Sequence, residues 1–102
     1  MDIPHRLSRA LSKRLGDDLK EIRLFGSRAK GTWGPGSDYD ILVVVSRRTA
    51  SLLDAIYDEG FKLELRFGVD ISFKVYGEEE YRRRERLGTP FAVELRASSI
   101  RL

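Results

Sequence analysis

The chain has 102 residues, 41% of them hydrophobic and 34% charged, which suits one domain with one modest core and excludes an intrinsically disordered protein. Its longest apolar run, 41–45, is far shorter than the roughly 20 residues of a membrane span, and the N-terminus lacks the apolar segment of a signal peptide, so we expect no membrane association. The absence of cysteine excludes disulfides and leads us to expect a cytoplasmic protein, while a net charge of +3 is too small to predict direct nucleic-acid binding.

In the first half of the chain, apolar residues at helical spacing predict a helix over about 4–15, which Gly16 would end. The short apolar run 22–25 predicts the first strand, and the glycine-rich stretch 27–37 predicts a loop with one helical turn near its start. The β-branched run 39–45 predicts a second strand. Because this run is apolar without alternation, we expect it to be buried on both faces and central in the sheet.

In the second half, a cap at Thr49 or Ser51 predicts a helix that continues to about residue 65, with Tyr57 and Phe61 in the core. Alternating apolar and polar residues over 69–76 predict a third strand. The remaining predicted elements are a charged helix over about 78–87, a helix over about 90–97 and a short strand within 98–102. Helices that alternate with strands predict an α/β fold, a small sheet with flanking helices, in a single domain over 1–102.

Two carboxylates mark the start of the central strand. Asp38 and Asp40 project from one face because strand side chains alternate. Adjacent carboxylates repel each other unless a cation lies between them, and Mg²⁺ prefers oxygen ligands while leaving room for substrate phosphates. The neighbouring Gly26-Ser27 turn offers backbone N–H groups and a hydroxyl to such phosphates. If the third strand lies beside the second, Asp70 joins the pair, and three carboxylates would bind one or two Mg²⁺ ions.

Each of these residues also has a simpler structural interpretation. Acidic residues such as the Asp38 and Asp40 pair are common in turns, and Ser27 is typical of a helix cap. Trp33 either stacks on a base or a partner protein, or packs within its own loop. We interpret Arg82, Arg83, Arg84 and Arg86 as a solvated helix face rather than an interaction patch.

Taken together, the motifs resemble those of a known superfamily. Gly26-Ser27, followed ten residues later by Asp38-Tyr39-Asp40 and then by an isolated strand Asp70, resembles the nucleotidyltransferases that include DNA polymerase beta. The segments Leu-Phe-Gly-Ser-Arg-Ala-Lys-Gly at 24–31 and Leu-Gly-Thr-Pro-Phe at 87–91 are similar to the minimal nucleotidyltransferase family, whose members are often paired with a HEPN-domain partner. The resemblance implies a mixed-sheet nucleotidyltransferase fold.

The resemblance also implies roles for the motif residues. Asp38 and Asp40 would hold two Mg²⁺ ions, and Asp70 would hold the ion that activates a hydroxyl and would accept its proton. Gly26 and Ser27 would contact the phosphates of ATP or another nucleoside triphosphate. Their neighbours Arg28 and Lys30 would neutralise the triphosphate.

The implied activity is transfer of a nucleoside monophosphate, AMP from ATP, to a hydroxyl of a partner protein. In family members paired with HEPN toxins, the small protein is the antitoxin, which adenylylates a toxin tyrosine or blocks the toxin by binding. Two alternatives stay open. In the first, the chain is a binding module that neutralises a HEPN toxin sterically. In the second, it transfers the nucleotide to a small molecule, such as an aminoglycoside, or to the end of a nucleic acid. We expect association with a partner chain or with a second copy.

Overall fold

A four-stranded mixed sheet forms the centre of the computed structural model, which describes residues 2–32 and 34–102. The strands are β1 (Leu19–Phe25), β2 (Tyr39–Val45), β3 (Ile71–Gly77) and β4 (Ile100–Arg101). Their order is β3-β2-β1-β4; β2 and β3 run parallel, and β1 pairs antiparallel with both β2 and β4. This arrangement confirms the predicted mixed sheet with flanking helices.

Among the described residues there are five α-helices and one 3₁₀ helix, of which the first α-helix and the 3₁₀ helix precede the first strand. They are α1 (Ile3–Leu15), the 3₁₀ turn Gly16–Asp18, α2 (Ser27–Lys30), α3 (Ala50–Phe67), α4 (Glu78–Leu87) and α5 (Pro90–Ser98). Side-chain caps begin three of them, because Asp2, Thr49 and Thr89 accept hydrogen bonds from backbone N–H groups three residues later. None of these helices is long and apolar enough to cross a membrane, within the part of the chain that the structure describes.

Helices cover both faces of the sheet. One face packs against α1 and α3, and the apolar residues of this layer are Leu7, Leu11, Leu15, Ile22, Leu24, Ile41, Val43, Val45, Ala55 and Ile56. On the other face, Leu42 and Val44 pack against Tyr81 of α4 and Leu95 of α5. All five residues from Ile41 to Val45 are fully buried, so β2 occupies the central position that its apolar run predicts.

Strand β1 begins three residues earlier than predicted, because Leu19 and Glu21 also pair with β2 although polar residues interrupt the apolar run. Glu21 lies opposite Val44, and only 5% of its surface is exposed. Its carboxylate accepts hydrogen bonds from Arg23 and, at 3.1 Å, from Arg82. The interpretation of Arg82 as part of a solvated helix face is therefore wrong, because this side chain joins α4 to β1.

Tyr57 and Phe61 are not core residues, contrary to prediction. They are 52% and 56% exposed, because the side of α3 that faces the sheet carries Ile56 and Gly60 instead. A Cβ at Gly60 would lie 2.5 Å from the ring of Phe73, so glycine allows helix and strand to approach closely. The alternatives proposed for Trp33 concern a residue outside the described ones.

Candidate active site

The candidate site lies at the end of the sheet where the parallel strands β2 and β3 begin. In-register pairing places Tyr39 beside Ile71 and Asp40 beside Ser72. Asp38 and Asp70 directly precede the first of these pairs, and the backbone N–H of Tyr39 donates a hydrogen bond to the Asp70 carbonyl at 2.9 Å. The chain segments that carry the three predicted acids therefore meet at one edge, as the prediction of adjacent strands requires.

Asp38 and Asp40 form the acidic pair of this edge. They lie two residues apart at the start of β2 and share a face, because side chains alternate along a strand. Burial raises the pKa of the Asp40 carboxyl above its ordinary value, and the negative charge of Asp38 raises this pKa further. Asp38 is exposed and accepts a long hydrogen bond, 3.4 Å, from the Ser72 hydroxyl on β3. The pair is thus close enough for the charge of Asp38 to disfavour the charged form of Asp40.

Gly26 forms the surface on which the Asp40 carboxylate rests. Its backbone has a φ of 74°, and a Cβ built there would lie 2.3 Å from Oδ2 of Asp40. Only glycine tolerates both this backbone conformation and this approach. The glycine of the predicted phosphate-binding turn therefore has a second role, which is to leave room for the acid.

The position of Asp70 is less closely coupled to the pair. Asp70 is exposed, and it lines a small cavity of about 100 Å³ together with Arg28 and Ser37. Among the described residues, no three acidic or histidine side chains converge into a group that could hold a metal ion. The structure brings the carboxylates of Asp38 and Asp40 together and fixes the backbone of Asp70 beside them; the part played by the Asp70 carboxylate stays a prediction.

The acidic pair fits a hard divalent cation. Both side chains offer carboxylate oxygens, which are the ligands that Mg²⁺ prefers. A cation between them would remove the repulsion that disfavours the charged form of Asp40. The donor set and its electrostatics are therefore compatible with a bound cation, and the role of Asp38 and Asp40 as its ligands stays a prediction.

Arg28 holds the glycine-rich loop against β2. Its Nε and Nη2 donate hydrogen bonds to the Ser37 carbonyl at 3.1 and 2.9 Å. Its guanidinium also lies 3.9 Å from the ring centroid of Tyr39, whose side chain alternates with those of Asp38 and Asp40. These contacts position the loop, and contact between Arg28 and a nucleotide stays a prediction. Ser27, at the start of α2, accepts a backbone hydrogen bond from Thr32 through its carbonyl.

Lys30 and Glu94 connect α2 to α5 beside the site. The two charged groups lie 2.5 Å apart, and both side chains are about half exposed. The bond from Lys30 and a second one from Ser98 lower the pKa of the Glu94 carboxyl. A triphosphate that recruits Lys30, as predicted, would therefore have to compete with Glu94 for its ammonium group.

Lys74 lies on the same sheet face as the acidic pair, and its position was not predicted from the sequence. It lies beside Leu42 in the register, so it shares the face of Asp40 and Ser72. Its ammonium is 5.0 Å from the ring centroid of Phe91, which packs edge-on against Phe25. The alternation of polar residues along β3 contains the signal, because Asp70, Ser72 and Lys74 follow one another at every second position.

The sequence matches the family model described as "Nucleotidyltransferase domain" over residues 5–90. Two curated relatives are aminoglycoside nucleotidyltransferases (4′), one from Staphylococcus aureus and one from a Bacillus species. Each is 31% identical over 67 residues, which is 66% of this chain and 26% of the relative. The chain thus spans about a quarter of the length of the curated relatives it matches.

Solved structures share the fold at low sequence identity. A toxin-antitoxin crystallised with AMP-PNP superposes with a TM-score of 0.64 at 19% identity, covering 97% of this chain and 72% of that one. A mutant form of the toxin-antitoxin MntA-HpeT gives 0.60 at 19% identity, covering 99% and 72%. A putative nucleotidyltransferase from Sulfolobus solfataricus gives 0.51 at 22% identity, covering 78% and 72%.

Proposed function

The chain belongs to the nucleotidyltransferase domain family, and from this premise we propose that it transfers a nucleoside monophosphate, AMP from ATP, to a hydroxyl of a partner protein. The observation that carries the proposal is the pair Asp38 and Asp40, held on one strand face with Asp40 against Gly26. These residues have the types and spacing of the family motif. We place the reaction in the cytoplasm, as the sequence predicts.

In the proposed reaction, the acceptor oxygen forms a bond to the α-phosphorus, and the bond from that phosphorus to the bridging oxygen breaks. Pyrophosphate is the leaving group, and the hydroxyl proton passes to a base, for which Asp70 is the candidate. Asp38 and Asp40 would hold Mg²⁺. When bound, this ion supplies charge stabilisation for the attacking and leaving oxygens.

The remaining side chains would bind and orient the triphosphate. Gly26 lets the backbone approach the phosphates, and the hydroxyl of Ser27 is available as a donor. Lys30 lies on α2, which follows the Gly26-Ser27 turn, and Lys74 lies on β3, two residues after the register partner of Asp40. Both cations would offset the phosphate charges that approach Asp38 and Asp40.

A protein acceptor is the form of this activity that the similar solved structures favour. The solved toxin-antitoxin structures cover 97–99% of it, and it covers 72% of each. We therefore propose that the chain acts as the antitoxin of a pair, and that it adenylylates a HEPN-domain toxin. Steric neutralisation without transfer is the alternative within the same pairing, and intact site residues favour transfer over it.

Modification of an aminoglycoside is the second candidate function, and one observation favours it. The curated relatives with 31% identity are aminoglycoside nucleotidyltransferases. However, the matched region is only 26% of their length, so most of each relative has no counterpart in this alignment. We rank this candidate below the protein acceptor for that reason.

The deciding experiment uses the chain co-purified with the protein encoded beside it. The pair is incubated with ATP and Mg²⁺, and intact mass spectrometry measures whether the partner gains AMP. The matched control is the Asp38→Asn, Asp40→Asn double variant, which keeps the side-chain shapes but removes both charges. The proposal is supported if the partner gains AMP with the natural chain and gains none with the double variant. A tight complex without any mass gain supports steric neutralisation, and AMP transfer to an aminoglycoside instead supports the second candidate.

A further inference from the structure

Helix α3 presents three large apolar side chains to the surface. Tyr57, Phe61 and Leu65 are 52%, 56% and 70% exposed. They are spaced four residues apart, so they form one continuous row, which we call the α3 ridge. Isolated exposed apolar residues are normal, but a contiguous row along one helix indicates an interaction surface.

The α3 ridge rests on rigid structure. The opposite side of α3 buries Ala55, Ile56 and Gly60 against the sheet. The ring of Tyr57 packs edge-on against Phe73 of β3 at a centroid distance of 5.5 Å. The helix therefore cannot rotate to bury the ridge without losing its existing core contacts, and the ridge is available for an intermolecular contact.

The neighbouring edge of the sheet is less suited to such a contact. Two side chains already occupy backbone groups on the outer edge of β3: Glu64 accepts from the N–H of Ile71 at 2.9 Å, and Arg48 donates to the carbonyl of Val75 at 3.2 Å. Blocking an edge in this way disfavours addition of a strand from another molecule. A partner would therefore dock on the helix rather than extend the sheet.

One row of charged residues beside the α3 ridge is acidic in its N-terminal half and basic in its C-terminal half. Asp54 and Asp58 lie in the N-terminal half of α3, and Lys62 and Arg66 lie in the C-terminal half. These four residues are exposed and again spaced by four, so they form a row parallel to the ridge. Asp58 already pairs with Arg14 of α1 and with Lys62, so the charge argument rests on the two ends of the row. Two copies of this helix packed antiparallel would place Asp54 of each copy beside Arg66 of the other.

We propose that α3 is the interface of a two-fold symmetric homodimer, in which the two α3 ridges pack antiparallel with Phe61 at the symmetry axis. Around this axis Tyr57 of one copy lies against Leu65 of the other, and the reciprocal contact forms by symmetry. The apolar row is symmetric about Phe61 and the flanking charges are complementary between the copies, which is the requirement of an isologous interface. The occupant of the ridge is thus a second copy of this chain.

The first test measures molar mass in solution, by light scattering and sedimentation, as a function of protein concentration. The natural chain is expected to dimerise. Phe61→Asp brings two negative charges together at the axis and is expected to weaken the dimer at least tenfold. Leu87→Asp is the matched control, because Leu87 is a 73% exposed leucine at the end of α4, and this variant is expected to dimerise normally. Circular dichroism checks that both variants are folded.

The second test uses charge reversal. Asp54→Arg or Arg66→Asp alone places like charges across the interface and is expected to weaken the dimer several-fold. The double reversal in one chain restores opposite charges, and it is expected to recover the natural affinity. A monomer at all concentrations, or a dimer that Phe61→Asp leaves intact, would overturn the proposal. A result in which the α3 ridge is required for binding the toxin partner but not for self-association would also overturn it. None of these measurements depends on nucleotide transfer.

Discussion

At the residue scale, Gly26 and Asp40 lie so close together that a substitution at Gly26 would displace the side chain of Asp40. In Gly26→Ala the new Cβ would lie 2.3 Å from the Asp40 carboxylate, so this acid must shift. Since a displacement of about 1 Å can cost 100-fold in rate, we expect transfer to fall at least that much. The measurement is single-turnover transfer to the partner with the variant.

Gly31→Ala is the control for Gly26→Ala. Gly31 also has a positive φ, 76°, but a Cβ there meets nothing within 4 Å. Both variants should lose about 1 kcal/mol of stability through backbone strain. Only Gly26→Ala should lose activity as well. Equal activity in the two variants would show that the position of the Asp40 carboxylate does not matter for transfer.

The acidic pair is expected to cost stability in the absence of a cation. Asp40→Asn removes a partly buried charge that burial and Asp38 both disfavour, so it should leave the melting temperature unchanged or raise it while abolishing transfer. Differential scanning calorimetry with and without Mg²⁺ checks both parts. Mg²⁺ at ten times its Kd should stabilise the natural protein by about 1.4 kcal/mol. The double Asp38→Asn, Asp40→Asn variant should show no such gain, and a gain there would place the cation elsewhere.

At the scale of elements, Glu21 is the connection between β1 and α4. Glu21→Gln removes the buried anion that Arg23 and Arg82 share, although Arg82 keeps its ion pair with Glu85, so we expect a loss of about 1–3 kcal/mol. Urea unfolding measures this loss. Arg82→Met, which removes the link from the α4 side, should produce part of the same effect. A neutral result for both variants would mean that apolar packing alone docks α4.

The same residue predicts a pH dependence of stability. Burial acts to raise the pKa of Glu21, but the bonds and charges of Arg23 and Arg82 outweigh it and lower this pKa below the ordinary 4.5. A lowered carboxyl pKa contributes stability that is present above the ordinary value and is lost as the pH falls through the folded-state value. The natural protein should therefore lose stability in acid more steeply than Glu21→Gln. Parallel curves for the two proteins would contradict the assignment.

The ion pair between Lys30 of α2 and Glu94 of α5 should affect substrate binding more than folding. Lys30→Met removes a cation from beside the site and is expected to raise the KM for ATP several-fold with a smaller change in kcat. Glu94→Gln releases Lys30 and is expected to change the KM in the opposite direction. Both variants should unfold like the natural protein, because exposed ion pairs contribute little to stability.

At the scale of the whole molecule, local patterns predicted most of the elements. The limits of β2 and α4 agree with the prediction, because an unbroken apolar run and a charged segment between glycines leave little choice. The superfamily resemblance rests on Gly26-Ser27 and on Asp38 and Asp40, whose spacing is a local property of the chain. The family match over residues 5–90 confirms this part of the reasoning.

Features that depend on distant residues could not be predicted. The burial of Glu21 requires Arg82, which is 61 positions away, and the pairing of Lys30 requires Glu94. Helical spacing shows that α3 has apolar residues, but it does not show which of them face the sheet. The prediction that Tyr57 and Phe61 lie in the core is wrong for this reason. The close approach of Asp40 to Gly26 likewise depends on the pairing of β1 with β2, which the local sequence does not reveal.

The burial of β2 from Ile41 to Val45 links activity to folding. The strand that carries Asp40 is enclosed by helices on both faces and by strands on both edges, so no local opening can detach the acid from its support while the rest stays intact. Heat or denaturant should therefore abolish catalysis and secondary structure together, at one midpoint. Residual activity can then be read as the fraction of molecules still folded.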